Sequence, residues 1–331
     1  MNAVEVAILG GVSAAQRALP RLELEQMLSN AGVATAQSRA AIDALIARGC
    51  LAPRALAVDL TPAGIAALLG AQAALAAAMG VLESCPSIPY LTTVQTKWID
   101  AISINYACDP AKIAKMLPAP LEPEIHKGTA WVQILMSSLR DMRPQGMPSL
   151  FGVCFYQASY RAAVRYRSED GEWHRGGYFV RSETNHEVMR AVGNSLAEFK
   201  FHAFGASTMT MLRDGDRLTI GSDPEPAGGK LIGMFDTRPL DGPPAESVWA
   251  SVAELHEPLV ECYDAYGVDR ENGWLYTLTI DRDPWNPRFV TPLEIYSEWA
   301  EAIDARLDSV LHVRECPYRW RPLRRERVKA G

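Results

Sequence analysis

Three dipeptides, Asp170-Gly171, Asp214-Gly215 and Asn272-Gly273, constrain this chain most, each lying between strand-like flanks. Asp-Gly and Asn-Gly in such a setting are hairpin-turn signals. Hairpins repeated in this way predict an antiparallel meander or barrel. The flanking sequence agrees. Ile102, Ile104 and Tyr106 alternate with small or polar neighbours, as on a half-buried strand. Residues 129–135 and 151–166 read as further strands. Asp109-Pro110 opens a short helix that ends at Leu117-Pro118. Residues 292–311 predict an amphipathic helix, with Ile295, Trp299, Ile303 and Leu307 along one stripe.

The first 82 or so residues read differently, rich in alanine and leucine and helical in pattern. Residues 22–28 predict a short helix, and Thr35 caps a second one that runs through Ile46 to Gly49. Residues 51–60 then predict a small β-wing, and Thr61-Pro62 starts another helix. This order resembles a bacterial winged-helix module, whose second helix would present Thr35, Gln37, Ser38 and Arg39 to a DNA groove. Its charge is neutral, however: residues 1–80 hold five arginines, no lysine and five acids. DNA binders draw most of their affinity from phosphate neutralisation. A module used for docking or dimerisation is therefore weighed equally with DNA binding. We expect an α+β chain: a winged-helix-like module over 1–84, a linker over 85–90, a mainly antiparallel β-barrel over 91–313 and a basic tail over 314–331.

Composition narrows the function. The net charge is -6, which argues against a protein built mainly for nucleic acid. The six cysteines form no Cys-x-x-Cys pair and the six histidines show no ligand spacing, so neither metal nor cofactor is expected. Nucleotide and dinucleotide loops and a Gly-x-Ser-x-Gly elbow are absent from the sequence. Glu5 interrupts the first apolar run without a basic region before it, and the alanine-rich run over 63–82 reads as a soluble helix. We expect a cytoplasmic protein that does not engage a membrane, forms a homo-oligomer and takes a small-molecule ligand or substrate.

Two stretches carry candidate chemistry. In the segment 191–204, Lys200 stands among aromatic residues, and an amine in apolar surroundings is readily deprotonated and nucleophilic. If 197–203 are extended, Glu198, Lys200 and His202 share one face and Phe199, Phe201 and Ala203 the other. On the strand over 151–166, Phe155, Gln157, Ser159 and Arg161 share a parity. An arginine, a glutamine and a serine on one face look like a polar lining, in which Arg161 would hold a ligand carboxylate bidentately.

Ala191-Val192-Gly193 and the residues after it, up to Phe204, resemble the active-site segment of acetoacetate decarboxylases. The family's Schiff-base lysine position falls on Phe201 and its neighbour on His202, with Lys200 one place early. A wider series runs through Trp98-Ile-Asp-Ala-Ile, Leu117-Pro-Ala-Pro, Gly128-Thr-Ala-Trp131 and Met142-Arg-Pro144. It continues through Gln157-x-Ser159-x-Arg161, Glu257-Pro-Leu-Val-Glu-Cys-Tyr263 and Asp283-Pro-Trp285. Together these resemble a bacterial family within the acetoacetate-decarboxylase-like superfamily. The resemblance implies a closed or nearly closed barrel around a small-molecule cavity. It departs where chemistry would sit. The decarboxylase glutamate becomes Gln133, Gln157 and Ser159 replace glutamate and asparagine, and Arg282 replaces a histidine. The expectation is a small-molecule enzyme, of decarboxylase or dehydratase type, acting on an oxo acid. Lys200 and His202 would be catalytic, and Arg161, Gln157, Gln133, Ser159 and Phe201 would bind the ligand. The alternative is a ligand-responsive regulator in which the barrel senses and the N-terminal module binds DNA.

Overall fold

The computed structural model describes residues 19–20, 24–25, 28, 35–48, 50–54, 57–60, 93–146, 149, 152–186, 189, 204–225, 229–260, 262–269, 273–282 and 286–327. Two compact units divide the chain. One comprises Met1–Ile88, Val94–Thr96 and Arg140–Phe155, the other Pro89–Thr93, Lys97–Leu139 and Tyr156–Gly331.

In the first unit, β1 (Leu19–Pro20), β2 (Leu51–Arg54) and β3 (Ala57–Leu60) form an antiparallel sheet in the order β1-β3-β2. Between β1 and β2 lies α1 (Thr35–Ala47). Ser38, Ala41, Ile42 and Leu45 recur at helical spacing and are all buried, as are Leu24 and Leu28. Residues 51–60, expected as a wing, hold the antiparallel β2–β3 hairpin, which by itself does not make a winged-helix module. The helix expected from Thr61-Pro62 and the linker over 85–90 lie outside the described residues.

The second unit is mostly sheet. Its long strands include most of β4 (Val94–Cys108), followed by α2 (Pro110–Met116), where the Asp109 side chain accepts from Ala111 N at 2.8 Å. Strand residues 94–96, 140–144 and 153–155 count with the first unit. Next come β5 (Glu122–Pro123), β6 (Ile125–His126), β7 (Thr129–Pro144), β8 (Val153–Arg167) and β9 (Trp173–Thr184). Then follow β10 (Phe204–Asp214), β11 (Arg217–Glu225) and β12 (Leu231–Asp236). A helix, α3 (Val252–Leu255), runs directly into a π-helical turn (His256–Val260). The chain closes with β13 (Asp264–Asp269), β14 (Trp274–Arg282), β15 (Arg288–Phe289), β16 (Thr291–Ser297), α4 (Glu298–Ala302), β17 (Arg306–Trp320) and β18 (Arg324–Arg327).

Pairing follows the order β16-β12-β11-β10-β9-β13-β14-β17-β4-β7-β8-β5, and β8 also pairs with β9. The hydrogen-bonded path from β9 through β13, β14, β17, β4, β7 and β8 thus returns to β9. Each of the three Gly-ending turns joins an antiparallel pair: β8 to β9, β10 to β11, and β13 to β14. At Gly176 the approach of β13 is so close that a Cβ would lie 2.4 Å from Asp264 O, which is why a side chain is not accommodated there.

One expectation is corrected. Residues 292–311 are not one helix but β16, the single turn α4 and β17. Pairing of β16 with β12 overrides the helical stripe. Ser297 caps α4 by accepting from Ala300 N, and Asp304, at φ 54°, ends it in the left-handed region. Within the stretch expected as a basic tail, residues 314–320 lie in β17 and 324–327 in β18. Arg325 and Arg327 lie 4.6 and 4.1 Å over the Trp274 ring, and Arg321 pairs with Asp281 at 2.6 Å.

Strand β4 also anchors an ionic cluster. Asp100, 9% exposed, accepts from Arg213 Nη2 at 2.6 Å and lies 2.9 Å from His312 Nε2. Burial alone would raise its pKa, but the hydrogen bonds and charges of His312 and Arg213 outweigh that and hold it below the usual value. A carboxyl depressed in the folded state contributes stability that is present above the unfolded value of about 4 and is lost as pH falls through the folded one. Asp100→Asn is therefore expected to cost about 2–3 kcal/mol near neutrality, by leaving Arg213 without its counter-charge. In urea unfolding the gap from the parent protein should narrow once pH drops below about 4.

Candidate functional site

Strands β4, β7 and β8 sort their side chains by parity, as a pleated strand must. Even-numbered Ile104, Ile134 and Tyr160 join the main apolar cluster. Odd-numbered Ser103, Asn105, Gln133, Gln157, Ser159 and Arg161 form a buried polar face.

The polar face is held by a directed hydrogen-bond chain. Arg161 Nε donates to Gln133 Oε1 at 2.8 Å. Gln133 Nε2 donates to Ser103 Oγ at 3.1 Å and Asn105 Oδ1 at 2.8 Å, and Asn105 Nδ2 donates to Ser309 Oγ at 3.2 Å. Four strands are tied together in this way. A glutamate at 133 would cancel the charge of Arg161. Glutamine satisfies its N–H and leaves the charge in place.

The other support comes from the segment 252–260. Pro258 has no N–H to offer the helical ladder, consistent with the widening from α3 into a π turn. Carbonyls at the end of a helix lack intrahelical partners and favour cations. Leu259 O accepts from Arg161 Nη2 at 3.3 Å, and the next carbonyl, Val260 O, accepts from Arg282 Nη2. Arg282 ends β14 with its guanidinium 4.5 Å over the Tyr263 ring. Burial, and then the nearby charge of Arg161, bring its pKa down to about 10. The Cys262 thiol sits near both guanidiniums. Burial pushes its pKa up, while Arg161 and Arg282 draw it down. Gly177 keeps this corner open: a Cβ there would lie 3.1 Å from Cys262 Sγ and 3.5 Å from Arg161 Cδ.

These groups line a cavity of about 40 Å³. Arg161, Arg282, Gln157 and Ser159 give it polar walls, and Trp98, Phe179, Ile280, Tyr318 and Trp320 give it apolar ones. Trp98 and Tyr318 fix each other, their rings 4.8 Å apart. Among the described residues no carboxylate pairs with Arg161. Two wider clefts, of about 520 and 490 Å³, open beside the β8–β9 turn. There the acids Glu169, Asp170 and Glu326 are interspersed with Arg167, Arg324 and Arg327, and no excess of one charge converges.

Of the residues singled out from sequence, Arg161, Gln157 and Ser159 line the cavity, and Gln133 stands against Arg161 without lining it. Lys200, Phe201 and His202 lie outside the described residues. Cys262 was not anticipated, and Arg282 was marked only as the residue that stands in place of the family's histidine. The parity argument applied to Arg161 finds Arg282 too, since it follows Tyr276, Leu278 and Ile280 at period two on β14. On α1, Ser38 is fully buried and Arg39 pairs with Glu25 at 2.9 Å, so two of the four residues expected to meet DNA are engaged within their own unit. Among the described residues, no three His, Cys, Asp or Glu side chains gather as metal ligands. No described helix is long and apolar enough to cross a membrane.

The sequence model of the DUF2071 family, described as an uncharacterized conserved protein, matches residues 95–319. The chain belongs to the DUF2071 family. This DUF2071 chain is similar to the solved structure of an acetoacetate decarboxylase, at 16% identity and a TM-score of 0.47 over 74% of this chain and 92% of that one. An acetoacetate decarboxylase from Legionella pneumophila gives 14% identity and a TM-score of 0.47, over 71% and 88% of the two chains. An acetoacetate decarboxylase-like enzyme from Sphingomonas wittichii gives 13% and 0.47, over 71% and 92%. No curated protein sequence matches the chain.

Replacing Gln133 by leucine removes the acceptor of Arg161 Nε and a donor to Asn105. The expected loss is about 1–3 kcal/mol of stability, read from the midpoint of chemical denaturation at unchanged slope.

Proposed function

We propose that the protein is a small-molecule enzyme of acetoacetate-decarboxylase-like fold whose substrate is an oxo acid with its carboxylate held by Arg161. The observation that carries this reading is the pair of guanidiniums at one cavity, each fixed by a backbone carbonyl of the same turn. Arg161 meets no carboxylate among the described residues. Two cations brought together away from water repel, and an anion between them relieves that cost. A guanidinium also matches a carboxylate in planar, bidentate geometry.

The chemistry follows from where charge moves. A clamp on a carboxylate that is about to leave as CO₂ stabilises the ground state and not the transition state. The group at Arg161 is thus the retained carboxylate, and the reaction is a lyase step elsewhere on the chain, of dehydratase type. Lys200 is the candidate amine for an imine at the oxo carbon.

Calorimetry with a panel of 2-oxo and 3-oxo acids tests the clamp. Arg161→Met is expected to weaken binding by about 100-fold or more, the scale of losing a desolvated charge-assisted pair. Unchanged affinity in that variant would remove the reading. Borohydride reduction in the presence of the same acids tests the imine, with an adduct expected on Lys200 and absent from Lys200→Ala. An adduct on another residue, or none, would sink the imine step and leave the carboxylate clamp standing.

A further inference from the structure

The cavity beside Arg161 has a volume of about 40 Å³. A water takes about 30 Å³ of the liquid, so in this shape the space suits one monatomic ion or one or two waters. Arg161 lines it and is 4% exposed. Its Nε donates to Gln133 Oε1 and its Nη2 to Leu259 O, and among the described residues its Nη1 has no acceptor. Ser159, buried on the same wall, brings a second donor. Its Oγ accepts from Gln157 Nε2 at 3.0 Å, which leaves the hydroxyl proton to be given elsewhere.

Charge decides between water and ion. Arg161 and Arg282 both line the cavity, and the peptide oxygens that hold them carry no net charge. Among the described residues no acid lines it. Burial, and then Arg161, lower the pKa of Arg282, so the two cations feel one another. A buried charge destabilises unless it is paired and hydrogen-bonded. Water would satisfy the donors and leave the charge, whereas a small anion answers both. The apolar walls, with Trp98, Phe179, Ile280 and Trp320, offer little to replace a hydration shell. They therefore favour an ion that gives up its water readily over a strongly hydrated one.

We propose that the cavity is a halide site, in which a chloride or bromide ion accepts from Arg161 Nη1 and the Ser159 hydroxyl. There the ion is the structural counter-charge of the two arginines. The inference shares with the oxo-acid reading the uncompensated charge of Arg161, and it requires no organic acid.

The test is thermal unfolding of the full chain in sodium chloride, bromide, fluoride and gluconate at equal ionic strength. An ion that binds only the folded protein raises the midpoint by mass action, by about 2–5 °C at 100-fold over its Kd. Each salt also acts generally on stability, so the readout is the shift of the parent less that of Arg161→Met. Chloride and bromide are expected to raise the parent alone, and fluoride and gluconate to treat both proteins alike. Ser159→Ala should weaken chloride about tenfold, the scale of one charge-assisted hydrogen bond. In crystals grown with bromide, anomalous density is expected in hydrogen-bonding contact with Arg161 Nη1. Chloride that moves parent and variant alike, or bromide found only on the surface, overturns the proposal. If Arg161→Met fails to fold, Ser159→Ala and the bromide position decide in its place, and unchanged chloride affinity in Ser159→Ala counts against the site. Calorimetry of the oxo acids in gluconate separates the two readings. A chloride effect without acid binding upholds the ion and removes the acid, and acid binding without a chloride effect does the reverse.

Discussion

Two consecutive carbonyls at the end of one helical segment, Leu259 and Val260, hold the two arginines on which the cavity depends. The cause is local. Pro258 disturbs the regular ladder, the segment ends in a π turn, and its last carbonyls are left for outside donors. Arg161 reaches them from β8 and Arg282 from β14. Among the described residues Arg161 meets no carboxylate, and the peptide oxygen of Leu259 orients it without cancelling its charge. The glutamine at 133 works in the same sense, as an acceptor that orients and does not neutralise. An interior organised in this way keeps positive potential where an acidic residue would have used it up.

The remaining architecture makes that arrangement tolerable. Gln133 passes the constraint on Arg161 to Asn105 and Ser309, so β8, β7, β4 and β17 share one set of satisfied donors and acceptors. Buried polar groups destabilise when half satisfied and add rigidity when fully satisfied. The small residues at 176 and 177 let β13 come close beside β9, which brings Cys262 and the end of the π turn within reach of Arg161.

Much of the fold was legible because its signals are short-range. Asp-Gly turns, the Asp109 cap and the alternation on β4 depend on a few neighbouring residues, and all three appear in the structure. The stripe from Ile295 to Leu307 misled because a helical spacing survives in a sequence whose first half is claimed by β12. Strand pairing with a distant segment leaves no mark on local periodicity. The site was partly legible for the same reason. Parity along β8 grouped Gln157, Ser159 and Arg161, and parity along β14 reaches Arg282, whereas Cys262 joins them through pairings among β9, β13 and β14 that only the folded chain discloses. Phe179 was hidden further, since a bulge breaks the parity rule that sequence reading relies on.

The division of labour along β8 has an evolutionary consequence. Ala158, Tyr160 and Ala162 join the apolar cluster, while Gln157, Ser159 and Arg161 between them line the cavity. Substitutions at one set leave the other nearly untouched, so such a scaffold can drift from one ligand to another without passing through unfolded ancestors. Relatives with this framework can accordingly keep the same chain path while exchanging carboxylates for amides, or a histidine for an arginine, along the cavity wall.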